Sequence, residues 1–224
     1  MDLKIKDVVE LLQVSEKTVY RWIKEKKIPC YRINHQYRFN KSEINEWILS
    51  NKIELSGSLI NLGFNNSSLL TLIERGGIIS EIPGKDVKEI LTNAIDNVLT
   101  PSNLSKEEIL HALLSREELM PTAIGRGIAI PHPRSPIVTN PNNASVSICY
   151  LAEPINFNAL DGLPVHTLFI LLTASPRMHL DVLSKISHLC QSDFFLTMMR
   201  ERSPLESILE FVRVKEKEWQ KKEN

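Results

Sequence analysis

The sequence predicts an α/β protein in two parts: a small basic head of helices with a hairpin, then a layered α/β domain whose helices flank a central mixed β-sheet. Three observations carry that expectation. At 224 residues the chain is long for one minimal domain and comfortable for two. Apolar positions recur at helical spacing towards both ends, but fuse into continuous runs at Ser145–Leu151 and Val165–Thr173, as in strands covered on both faces. Charge is divided too: residues 1–52 hold 11 Lys/Arg against 7 Asp/Glu, a net of +4, and the rest hold 16 against 20, a net of −4. A polyanion is therefore expected to be bound by the head.

In the head, Ile5, Val8, Val9, Leu11 and Leu12 sit close to helical spacing. Gln13-Val14-Ser15 breaks the pattern, and Ser15 is a good N-cap for a second helix over about Glu16–Lys26 that buries Val19, Trp22 and Ile23. Pro29 closes it. The alternating runs Cys30–Ile33 and Tyr37–Phe39, joined by Asn34-His35-Gln36, read as a hairpin. Asn40 with Glu43 is a cap signature for a third helix through Ser50. Weak periodicity with Gly, Ser and Asn makes 53–66 a linker, so the expected boundaries are 1–52 for the head, 67–217 for the α/β domain and 218–224 for a charged tail.

In the second part, Leu69–Glu74 and Val87–Val98 look helical, and Ser105 with Glu108 is a capping box opening a helix through about Ser115. Thr122–Ile124 and Ile128–Ile130 flank Gly125-Arg126-Gly127 as short strands, before the two long apolar strands. Helices follow at about Met178–Cys190, Asp193–Arg200 and Leu205–Glu218. Helices either side of a sheet form a layered domain.

Two short helices around a tight turn, with a basic second helix and a basic hairpin, fit a winged helix-turn-helix. A helix fits the major groove, and a hairpin wing reaches the neighbouring backbone or minor groove. Candidate DNA contacts are Ser15, Lys17, Thr18, Tyr20, Arg21 and Lys24 from the second helix, with Arg32, His35 and Arg38 from the wing. Trp22 and Trp47 read as core. The run from Lys4 to Ile23, with Ile28-Pro29, Tyr37-Arg38-Phe39 and Ile44…Trp47-Ile48, resembles the excisionase-type, MerR-like winged helix over about residues 3–50. The wing turn departs from that family, which usually carries Gly where this chain has Asn34-His35-Gln36. Asn tolerates left-handed backbone, so a turn survives.

The densest chemistry lies in Thr122–Arg134. His132 stands between Pro131 and Pro133, which restrict the backbone of a residue that must be aimed. An imidazole with a reference pKa of about 6.5 is largely neutral and nucleophilic near neutral pH, and can carry a phosphoryl group reversibly. Phosphoryl transfer also needs positive charge or donors around the equatorial oxygens, and Arg116, Arg126 and Arg134 are the local cations. Arg116-Glu117 followed by Gly125-Arg126-Gly127-Ile128-Ala129-Ile130-Pro131-His132 resembles the fructose/mannitol-type enzyme IIA domain of the bacterial phosphotransferase system, nitrogen-regulatory relatives included. The likeness covers about residues 67–217 and implies that His132 accepts the phosphoryl group and that Arg116 organises the site. Met178-His179-Leu180-Asp181 resembles the segment with the family's second active-site histidine, which falls on His179. One departure is Pro133, where the family commonly has Gly: a backbone N–H is lost, and Arg134 is the candidate replacement. His166 is expected to be a satisfied strand histidine, and His111 and His188 structural ones.

The resemblance implies a cytoplasmic regulator that takes phosphate from the histidine-containing phosphocarrier HPr or a nitrogen-branch relative and binds double-stranded DNA. The alternative is a sugar-transport component that passes phosphate to a IIB domain. Either way the protein is a phosphocarrier more than a small-molecule enzyme. No cofactor and no metal are expected, because no histidines share metal-ligand spacing. The longest apolar run, Leu168–Leu172, is far short of the roughly 20 residues that span a bilayer, and the first residues lack a signal-peptide pattern, so no membrane partner is expected. Cys30, Cys149 and Cys190 are widely spaced and read as reduced, mostly buried thiols. A homodimer on paired half-sites is open, although no long coiled coil is visible.

Overall fold

Local capping signals start most of the helices. A computed structural model describes residues 2–12, 14–33, 36–40, 43–44, 47, 68–101 and 104–223. They divide into two compact units, within residues 1–64 and 65–222.

The first unit comprises β1 (Asp2–Leu3), α1 (Ile5–Leu12), α2 (Glu16–Lys24), β2 (Tyr31–Ile33) and β3 (Gln36–Asn40). Ser15 caps α2, its hydroxyl accepting from Thr18 N at 3.2 Å. The helix stops at Lys24 rather than Lys26, because Lys26 adopts a left-handed φ of 54° and turns the chain away. β3 pairs antiparallel with both β2 and the two-residue β1, a strand too short for periodicity to reveal. Gln36 belongs to β3, which corrects the expected three-residue turn. Asn34 and His35 lie outside the described residues, as does the expected linker 53–66. Of the expected third helix, Glu43, Ile44 and Trp47 are helical, and its other residues lie outside the described ones. Val8, Leu12, Val19, Ile28, Phe39 and Ile44 form the core. The rings of Trp22 and Trp47 meet at 5.3 Å, a packing contact.

The second unit runs α3 (Leu69–Gly76), β4 (Ile78–Ile82), α4 (Val87–Asn97), α5 (Lys106–Glu117), β5 (Ala123–Gly125), β6 (Ile128–Ala129), β7 (Ser145–Ile155), β8 (Val165–Leu172), α6 (Pro176–Leu189), α7 (Asp193–Arg200) and α8 (Leu205–Glu223). Its five-stranded mixed sheet has the order β4-β7-β8-β6-β5. β7 and β8 are antiparallel and buried along most of their length, as their apolar runs require. The capping box of α5 is complete: Ser105 Oγ accepts from Glu108 N, and Glu108 Oε2 accepts from Ser105 N. β4 is an edge strand, parallel to β7, that the sequence did not announce. α3 ends on Gly76, where a Cβ would lie 2.2 Å from Val146 O, so the helix packs backbone against β7. α8 continues to Glu223 through the stretch expected as a charged tail. Its Trp219 is buried and packs edge-on against His188 at 5.6 Å. Among the described residues no helix is long and apolar enough to cross a membrane.

One feature of the topology builds the site. β6 and β8 run parallel, so their C-terminal ends meet at the same end of the sheet, and Pro131 O accepts from Leu171 N at 3.0 Å. His132 leaves β6 there. Thr173 leaves β8 beside it, and Ser175 then caps α6, bringing His179 into the first turn of that helix.

Candidate functional site

His132 and His179 come together although 47 positions separate them in the sequence. Their ring centroids lie 4.9 Å apart at 59°, and both residues are buried at 4% and 2% exposure. His132 Nδ1 is 2.6 Å from the carbonyl oxygen of Ile130. A carbonyl only accepts, so Nδ1 carries the hydrogen and donates, and the lone pair of the neutral ring falls on Nε2. His179 is fixed in its turn: Nδ1 lies 3.1 Å from Thr173 Oγ1, a buried pair in which either atom can donate.

Arg116 occupies the last turn of α5, is buried, and donates from Nη1 to Met120 O at 2.7 Å. Its neighbour Glu117 accepts from Thr122 N at 3.0 Å and from Thr122 Oγ1 at 2.6 Å. Thr122 O in turn accepts from Ile130 N at 3.0 Å. The Arg116–Glu117 pair thus holds the segment leading into the strand that aligns Ile130, the residue whose carbonyl orients His132. Burial pushes the Glu117 carboxyl above its ordinary range, while the Thr122 bonds and the Arg116 charge pull the other way. Thr173 and the bonding of Glu117 to Thr122 are the parts that sequence reasoning missed. A lone threonine carries no distinctive signal, and only the parallel pairing of β6 and β8 brings Thr173 to the histidines.

Two expected cations behave differently. Arg134 is exposed, two residues beyond His132. Arg126 does not join the site: it sits at the far tip of the β5–β6 turn with a φ of 57°. Its guanidinium binds the Asp193 carboxylate and donates to Cys190 O at 3.3 Å. That exposed ion pair engages the guanidinium at the start of α7. The same turn is built for close approach. Gly127 has a φ of 80°, and a Cβ there would lie 2.4 Å from the His166 ring.

In the first unit, Lys17, Tyr20, Arg21 and Lys24 are all exposed and fall on one side of α2, opposite the buried Val19. Ser15 is engaged as the cap, with its Oγ also 3.0 Å from Thr18 Oγ1. The wing carries its two arginines on different faces. Arg32 opposes Tyr37, with its Cζ 5.9 Å from that ring, whereas Arg38 opposes Tyr31 and donates to Gln36 Oε1 at 2.9 Å.

The family model for the phosphoenolpyruvate-dependent sugar phosphotransferase system, EIIA 2, matches residues 71–214. The chain belongs to this EIIA family. A helix-turn-helix domain model matches residues 3–52, ahead of the EIIA domain. The chain is 30% identical over 144 residues to a nitrogen regulatory protein of Pseudomonas aeruginosa, covering 63% of this chain and 92% of that protein. A fructose-specific EIIA component of Haloferax volcanii is 38% identical over 84 residues, 37% of this chain and 53% of that protein. Among solved structures, the IIA-Ntr nitrogen regulatory protein of Neisseria meningitidis superposes with a TM-score of 0.52 at 27% identity. That alignment covers 64% of this chain and 94% of the other.

Packing accounts for Cys149, Cys190, His166 and His188. Cys149 lies inside the sheet, where burial pushes its thiol up to about 12, and Cys190 is buried at the end of α6. His166 sits on β8 at the opposite end from His132, bonded at 2.8 Å to Thr167 Oγ1, as a satisfied strand histidine. Burial, with Arg200 and Arg202 nearby, lowers its pKa. His188 packs on Trp219, but His111 is exposed on α5, which corrects its expected structural role.

Proposed function

We propose that the chain is a DNA-binding regulator whose EIIA domain takes a phosphoryl group on Nε2 of His132. The orientation of that ring carries the reading: Nδ1 is committed to Ile130 O, which leaves the Nε2 lone pair as the nucleophile. In the step proposed, Nε2 attacks the phosphorus of a phosphohistidine on the phosphocarrier HPr or a nitrogen-branch relative. The donor's ring carries a proton on its other nitrogen, so as the new N–P bond forms and the donor's N–P bond breaks, the donor leaves as a neutral imidazole, and His132 keeps its own Nδ1 proton. No proton has to move. His179, whose ring is oriented by Thr173, donates to the phosphoryl oxygens, and Arg116 holds the α5–β5 segment and adds positive charge. Arg134 supplies charge where Pro133 offers no N–H.

The head, an excisionase-type (MerR-like) winged helix in this reading, binds double-stranded DNA through α2 and the wing. The phosphoryl group adds roughly −1.5 to −2 charges and alters the DNA-bound or partner-bound state. The helix-turn-helix match on the same chain, and the regulatory naming of the Pseudomonas aeruginosa relative, favour a regulator over a transport component that hands phosphate to a IIB domain.

Incubation with phosphoenolpyruvate, enzyme I and the phosphocarrier tests this. Base-stable, acid-labile labelling is expected, and is lost in His132→Ala. Full labelling of that variant would end the proposal for His132. DNA affinity measured with and without the phosphoryl group at matched salt is expected to differ, and equal affinities would break the coupling. Undiminished labelling of Arg134→Ala would remove Arg134 from the mechanism.

A further inference from the structure

The wing offers two faces, and the register of its strands separates them. Residues directly opposed in an antiparallel pair share a face, and successive residues alternate. Tyr31↔Arg38, with Gln36, therefore lie on one side, and Arg32↔Tyr37 on the other. The second face is the one turned to α2, because the Tyr37 ring meets the Tyr20 ring edge-on at 6.2 Å and Phe39, two residues along, is buried in the core. Tyr20 belongs to the exposed cationic side of α2, and Arg32 stands over Tyr37. Lys17, Arg21, Tyr20, Tyr37 and Arg32 thus form one unbroken surface across helix and wing. Arg38 is on the reverse, drawn along its strand by Gln36.

We infer that the wing meets duplex DNA through Arg32 alone of its two arginines, and that Tyr37 is the positioning residue that ties Arg32 to the reading side of α2. The inference rests on the DNA-binding reading of the head. A guanidinium over an aromatic ring loses rotamer freedom before binding and keeps its N–H groups for phosphate oxygens, so its contact costs less entropy than that of an unsupported side chain. The edge contact between Tyr37 and Tyr20 fixes where the wing sits along the helix. Arg38 contributes to the general charge of the head but to no phosphate contact.

Binding of the full chain to a fluorescein-labelled duplex of mixed sequence, followed by anisotropy between about 50 and about 200 mM salt, reads out phosphate contacts directly. Each contact adds about 0.9 to the slope of log affinity against log salt, so a fourfold rise in salt weakens binding about 3.5-fold more when the contact is present. Arg32→Ala is expected to lose that increment, and Arg38→Ala to keep it. Tyr37→Phe retains the ring and the unsubstituted slope. Tyr37→Leu is expected to match Arg32→Ala, with no further loss in the double variant. Thermal melts by circular dichroism confirm that each variant is folded. Equal losses for Arg32→Ala and Arg38→Ala, or a full slope for Arg32→Ala, would overturn the face assignment while leaving DNA binding intact. Failure of the unsubstituted chain to bind the duplex would instead remove the DNA reading itself, and this inference with it.

Discussion

Replacing Thr173 with Val removes one oxygen from the candidate site and little else. Thr173 is 2% exposed, and its Oγ1 lies 3.1 Å from Nδ1 of His179, itself 2% exposed. Valine keeps the shape and the β-branched rotamer preference, so the cavity term is small. The lost bond contributes about 1 kcal/mol net, and a buried ring nitrogen deprived of its partner costs about 1–3 kcal/mol. An expected destabilisation of about 2 kcal/mol corresponds to a fall in Tm of about 4–8 °C for a domain of this size. The same loss of orientation is expected to slow phosphoryl uptake about tenfold, the rate equivalent of about 1.4 kcal/mol. A double-mutant cycle isolates the bond: with His179→Ala already present, Thr173→Val should cost less than about 0.5 kcal/mol in urea unfolding. An undiminished penalty in that background would show that the hydroxyl acts on something other than His179.

Three further outcomes follow from packing and charge. Gly76→Ala drives a methyl group to 2.2 Å from Val146 O, a backbone atom that cannot step aside, so a loss of about 3 kcal/mol is expected in chemical denaturation. Lys185→Met removes the 3.0 Å ion pair that joins the 15% exposed Lys185 and 5% exposed Asp181 side chains, and should cost about 1–3 kcal/mol, partly recovered by adding Asp181→Asn. Glu117 has a folded pKa raised from 4.5 by burial, so folding takes up a proton. Its contribution is present below the ordinary carboxylate range and is lost as pH rises through the folded value. Glu117→Gln should therefore gain stability relative to the unsubstituted chain as pH climbs from about 4.5 towards neutrality, and a difference independent of pH would contradict the shift.

The features legible in the sequence were those set by neighbours in the chain. Ser15 and Ser105 announced their caps because a cap is a contact over three residues. The long strands showed themselves through uninterrupted apolar runs, and the head through its basic second helix. β4 escaped because its pairing with β7 joins segments about 70 positions apart, and Ile78–Ile82 alone has no clear period. The end of α8 escaped because Lys and Glu dominate its last turns, and only the packing of Trp219 on His188 shows that the helix is held there. Within the site, His132 and His179 were reached by resemblance. The carbonyl of Ile130 and the hydroxyl of Thr173, which orient them, follow from the parallel β6–β8 pairing. The pairing of Arg126 with Asp193 escaped for the same reason: the two are distant in sequence.

The most direct measurement is heteronuclear NMR of the full chain after phosphorylation by the phosphocarrier, with nitrogen-15 in the histidine rings. A phosphorus–nitrogen coupling on Nε2 of His132, with Nδ1 retaining its proton, is the predicted result. Phosphorus on Nδ1 of His132, or on any other residue, would contradict the account.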